Sequence, residues 1–66
     1  MYTINFLRGE KVVGSTPWGD DLGSAQIYAS DDFHVYKMQR GATSAVVIDD
    51  DLESTIFTFP NGEGVG

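Results

Sequence analysis

Two stretches in which apolar residues recur at every second position, one near each end of the chain, bracket a stretch where they recur at every third and fourth. A period of two marks a half-buried strand, and a period near 3.6 marks a helix with one buried stripe. Tyr2, Ile4 and Phe6 alternate with Thr3, Asn5 and Leu7, giving a first strand from Tyr2 to Leu7. Arg8-Gly9-Glu10-Lys11 is a turn with a glycine where positive φ is needed. Val12 to Thr16 returns as a second strand, and Pro17, which has no amide to give a ladder, is expected to end it.

Asp21 precedes the apolar-periodic stretch and is a helix N-cap, with Asp20 beside it at the positive end of the helix dipole. Leu22, Ala25, Tyr28 or Ala29, Phe33 and Tyr36 form the buried stripe. Lys37 and Arg40 suit the negative end, and Gly41 suits a C-cap. The helix is expected from Asp21 to about Met38, with a stop or kink near Asp31-Asp32. Thr43 to Ile48 and Thr55 to Phe59 supply the third and fourth strands. The expected fold is α+β, ββαββ, a four-stranded antiparallel sheet from two hairpins packed on one helix.

Sixty-six residues make one domain, expected over 1–60, with 61–66 a frayed tail. The chain has no cysteine, which removes disulfides and thiolate metal sites and fits a reducing cytoplasm. Its single histidine, His34, leaves the usual zinc ligand sets incomplete. The N-terminal residues lack the basic start and long apolar stretch of a signal peptide, and no apolar run approaches a membrane span. A small soluble cytoplasmic domain is expected.

Ten carboxylates against four Lys and Arg give a net charge of −6. Phosphate backbones are bound by neutralising Lys and Arg, so direct nucleic-acid binding and anionic membranes are poor matches. The second strand runs toward the helix start, and the third must run back. The tip of the second hairpin therefore lies beside the helix N-terminus. Asp20, Asp21, Asp49, Asp50, Asp51 and Glu53 should gather at one pole, and Arg8, Lys11, Lys37 and Arg40 at the other. Each close pair of like charges costs a few tenths to about 1 kcal/mol in water. A neutral Asn-Gly turn would serve the structure better, so the excess points to binding. On the structural reading, the aspartates form the turn and guard the strand ends against aggregation.

Asp49, Asp51 and Glu53 alternate as cation ligands can, but Asp49 to Pro60 has no glycine at the sixth position of an EF-hand loop, so no metal site is assigned. Ser30, Asp31, Asp32 and His34 hold the residue types of a nucleophile triad, yet near-neighbours on one helix seldom converge on one centre. No catalytic residue and no cofactor is assigned, and His34 is expected on the exposed side of the helix. Trp18, between Pro17 and Gly19, is a candidate recognition anchor or a seal on the core. On the sheet face away from the helix, Leu7, Val13, Val47 and Ile56 are expected among Thr3, Asn5, Ser15 and Thr58. A homodimer through that face, or through the Trp18 corner, is the alternative mode of action.

The chain resembles short uncharacterised bacterial ββαββ proteins. The resemblance is carried by Tyr2 and Phe6, by Asp21-Leu22 with Ala25 and Ala29, and by Asp49 to Asp51 with Phe57 and Pro60. It departs from that pattern in having Leu52-Glu53-Ser54 in place of a turn glycine. In size and charge it also looks like phage-encoded inhibitors of bacterial defence of the anti-CRISPR type, some of which imitate DNA phosphates. That likeness implies a non-enzymatic inhibitor acting as a DNA mimic. Asp20, Asp21, Asp49, Asp50, Asp51, Glu53 and Trp18 would then contact a basic, normally nucleic-acid-binding protein surface.

Overall fold

The computed structural model describes residues 1–59. Its elements are β1 (Tyr2–Arg8), β2 (Lys11–Trp18), α1 (Leu22–Arg40), β3 (Ser44–Asp49) and β4 (Ser54–Phe59), the expected ββαββ. The expected tail over 61–66 lies outside the described residues.

All strand pairs are antiparallel, and the order across the sheet is β2-β1-β3-β4. The two hairpins are joined along β1 and β3, which pair from Tyr2↔Asp49 to Leu7↔Ser44. β2 and β3 both run antiparallel to β1, so they share a direction, and α1 is the crossover that returns the chain between them. Each outer strand carries one extra residue. Val13 falls between Gly14, which pairs with Phe6, and Val12, which pairs with Leu7. Ile56 falls in the same way between Phe57 and Thr55. Bulges bend an exposed edge away from unwanted pairing.

β2 does not end at Pro17. It runs on to Trp18, with Pro17 opposite Thr3. This is possible because β2 is an edge strand, where the missing amide costs no ladder hydrogen bond.

The helix also continues where a break was expected. Asp31 and Asp32 lie inside an uninterrupted 19-residue span, since neither faces the core: Asp31 is exposed and Asp32 half-buried. Asp21 caps the start by accepting the Ser24 amide at 2.8 Å. Gly41 ends the helix in the left-handed region at φ 72°, its amide donating to the Lys37 carbonyl.

The core lies between α1 and one face of the sheet. Ile4 and Phe6 from β1, Ala45 and Val47 from β3, Ala25, Ala29 and Phe33 from α1, and Ala42 from the loop after it are buried. The alanines let the helix approach closely. Phe6 stacks on Tyr36 with ring centroids 4.2 Å apart. Tyr36 also lies over Gly14, where a Cβ would overlap its ring. Gly14 is therefore required by packing, not by its dihedral angles.

The uncovered face differs from expectation at two places. The β1–β3 register puts Val47 on the helix side, where it is buried, and leaves Val46 and Ile48 across from Asn5 and Thr3 on the open side. Val13 packs against the core cluster, because the bulge turns it from its nominal alternation. Val46 and Ile48, with Leu7, are the apolar residues of that face in β1 and β3.

Candidate functional site

Tyr2 pairs with both Trp18 and Asp49, so the end of β2, the start of α1 and the turn between β3 and β4 share one end of the molecule. Asp20, Asp21, Asp49, Asp50, Asp51 and Glu53 are thereby brought to one pole. Arg8 and Lys11 flank the opposite turn, and Lys37 and Arg40 occupy the last turn of α1. A Cβ on Gly41 would stand 3.7 Å from Arg8 Cδ, which ties the helix end to the first hairpin. β1 lies between β2 and β3, so two strand spacings, about 10 Å, separate the β2 end from the acidic turn. That distance is close to the screening length at physiological salt, which softens repulsion between the two halves of the pole. Among the described residues no three carboxylate or imidazole groups come together as a metal site.

Four of the six carboxylates are fixed by hydrogen bonds. Asp49 Oδ1 accepts the Asp51 amide at 2.9 Å and the Leu52 amide at 3.3 Å, closing the turn from its own side chain. Asp50 Oδ1 accepts from Thr3 Oγ1 at 2.7 Å, and its amide donates to the Met1 carbonyl at 3.1 Å. Asp20 Oδ1 accepts the Asp21 amide at 3.0 Å. Asp21 caps α1, and the Ser24 backbone amide, followed by the Ser24 side chain, holds its carboxyl below the ordinary value of 3.8.

Asp51 and Glu53 are exposed, and no hydrogen bond to either side chain is present among the described residues. Glu53 sits at φ 54°, in the left-handed region, and its amide donates to the Asp49 carbonyl at 2.7 Å. A β-carbon is disfavoured there. This strain follows from the absence of glycine in the turn.

Trp18 has a structural engagement. Its indole N–H donates to Ser24 Oγ at 3.0 Å, and its half-buried ring stacks on Tyr28 at 4.8 Å between centroids. The Thr16 hydroxyl pulls the Tyr28 phenol down most strongly, but burial and Asp32 together outweigh it and leave the phenol above its ordinary value. Tyr28 is thus a neutral member of the corner.

The Ser30 hydroxyl donates to the Ile27 carbonyl at 3.0 Å, while His34 is exposed with its ring edge-on to Phe33. No helix among the described residues is long and apolar enough to cross a membrane.

The pairing of Thr3 with Asp50 was not visible in the sequence, because 47 residues separate them and only the β1–β3 register brings them together. Asn5 Oδ1 is likewise a product of that register. It is shielded from solvent on the open face and has no hydrogen-bond partner among the described residues. The chain matches no protein-family model, no curated protein and no solved structure at the significance such a match requires.

Proposed function

We propose that this protein is a non-enzymatic binding module or inhibitor whose acidic pole occupies a basic, normally nucleic-acid-binding protein surface. It would act there as a DNA mimic, in an anti-CRISPR or similar anti-defence role. One observation carries the reading: six carboxylates share one end of the fold, four are held by hydrogen bonds, and the fifth and sixth have none among the described residues. Fixed charges lose little freedom on docking, so more of their attraction appears as affinity. The charge separation between the poles would orient the molecule as it approaches and speed encounter. Asp51 and Glu53 are the residues free to contact a partner, with Asp20, Asp21, Asp49 and Asp50 supplying a positioned field. Trp18 borders this surface as a half-buried flank.

The test is a triple Asp49/Asp50/Asp51→Asn variant. Asparagine keeps each acceptor oxygen, so the turn is retained while three charges are lost. Capture of partners from bacterial lysate is compared for the two proteins at low and moderate salt, followed by competition with duplex DNA. A captured DNA-binding protein that is released by salt, lost with the variant and displaced by DNA supports the proposal. Capture unaffected by the variant would overturn it.

A further inference from the structure

The solvent side of α1 carries three large apolar side chains among its polar residues. Ile27 is 63% exposed, Val35 47% and Met38 88%. At 3.6 residues per turn, Ile27, Asp31, His34 and Met38 fall within about 60° of arc, away from the core-facing Ala25, Ala29 and Phe33. Val35 borders that stripe. Single exposed apolar residues are ordinary, but three along one side of one helix form a line.

The spacing of the stripe is palindromic: Ile27, then Asp31 four residues on, His34 three further and Met38 four beyond that. A two-fold axis perpendicular to the helix, passing between Asp32 and Phe33, would exchange its ends. Two antiparallel copies would then set Ile27 of each against Met38 of the other, and Asp31 of each against His34 of the other. Gly23 and Gly41 are exposed near the two ends of α1, where small residues let a second helix come close.

We propose that two copies of this chain associate through the outer faces of α1 as an antiparallel helix pair, with Ile27 on Met38 and Asp31 on His34 across the two-fold. The palindromic spacing selects a second copy as the occupant, and charge selects the direction. Each copy has a net charge of −6, so association requires an arrangement that separates like charges. The antiparallel pair puts the acidic helix start of one copy, with Asp20 and Asp21, beside the basic last turn of the other, with Lys37 and Arg40. A parallel pair would set Asp31 against Asp31 and one acidic pole against the other. Helix dipoles also favour the antiparallel arrangement. A contact along one helix is smaller than the ~800 Å² per partner of a standard interface, so the dimer is weak. The inference does not rest on the acidic-pole reading, which concerns a different surface.

Sedimentation equilibrium at physiological salt, from about 10 µM to about 1 mM protein, tests it. The expected result is a mass that rises toward two chains with concentration. Met38→Lys and Ile27→Lys, both at exposed helical positions where lysine is well tolerated, should each weaken the dimer about tenfold or more, with unchanged circular dichroism. His34→Asp opposes Asp31 with a like charge and should weaken it, whereas Ser15→Asp, the same change in net charge on β2, should not. The double variant Asp31→His/His34→Asp again sets an imidazole against a carboxylate across the two-fold and should regain the dimer. A monomer throughout the range overturns the proposal. So does a dimer indifferent to Met38→Lys, which would place the contact elsewhere, such as the open sheet face. Loss with His34→Asp but no recovery in the double variant overturns the antiparallel register.

Discussion

In the first hairpin the left-handed position of the turn is filled by Gly9, at φ 63°; in the second it is filled by Glu53, at φ 54°. The two hairpins are otherwise alike, each with an antiparallel pair, one bulge on the outer strand and aromatic residues packed against the core. The first turn closes with a residue that bears no strain, helped by a hydrogen bond from the Gly9 amide to Thr43 Oγ1 at 2.9 Å. The second accepts a strained glutamate and is stitched by Asp49 instead. The same backbone problem is thus met by conformational freedom in one case and by side-chain acceptors in the other. The second solution leaves four consecutive acidic or apolar exposed positions, Asp50 to Glu53, at the surface.

The largest effect should come from packing in the first hairpin. Gly14→Val drives two methyl groups into the Tyr36 ring stacked on Phe6, and the cost is about 2–3 kcal/mol. Ser15→Val, one residue on and facing away from the helix, should be nearly neutral. A urea midpoint that falls for both would mean that β2 as a whole, and not its contact with Tyr36, limits stability.

The next effect concerns the stitching of the second turn. Asp49→Ala removes the acceptor for two amides and should cost about 1–2 kcal/mol, while Asp49→Asn should cost far less. Equal loss from both, read in chemical denaturation, would show that the charge and not the hydrogen bonds supports the turn.

Glycine exchange tests the dihedral contrast directly. Glu53→Gly should raise stability by about 0.5–1 kcal/mol, and Gly9→Ala should lower it by about 1 kcal/mol. Opposite signs in thermal melts sharpen the comparison of the turns, and a fall for Glu53→Gly breaks it.

The smallest effect belongs to the acidic pole. Asp21 has a folded-state value below its ordinary one, so its contribution is present above that ordinary value and is lost as pH falls through the lowered one. Melting temperatures of the protein and of Asp21→Asn should therefore converge as pH drops below about 4. A gap that widens in acid would reverse the sign and remove Asp21 from the list of stabilising caps.

Local rules made most of the elements legible. The alternation of Tyr2 to Leu7 and of Thr55 to Phe59, the cap at Asp21, the stop at Gly41 and the glycine of the first turn each depend on residues within one turn or one strand. Expectations failed where a distant partner decided. Pro17 looked like a terminator, but the outer edge of β2 needs no amide there. Val47 and Val46 could not be told apart in a run of β-branched residues until β1 fixed which faced α1. Asp31-Asp32 looked like a helix breaker, but an interior pair turned away from the core costs only propensity.

By itself the sequence determined the order of elements and the assignment of acid to one hairpin tip and base to the other, because strand direction and helix polarity follow from chain order once the periods are read. The tertiary structure alone decided that β1 and β3 would lie side by side at the centre. It also decided that Thr3 would meet Asp50, that Asn5 would have no partner among the described residues, and that Ile27 and Met38 would face outward. Those outcomes depend on strand register and on which side of the helix finds the sheet. Register is a contest among long-range pairings, and it is settled only when the buried face of one strand is matched against another.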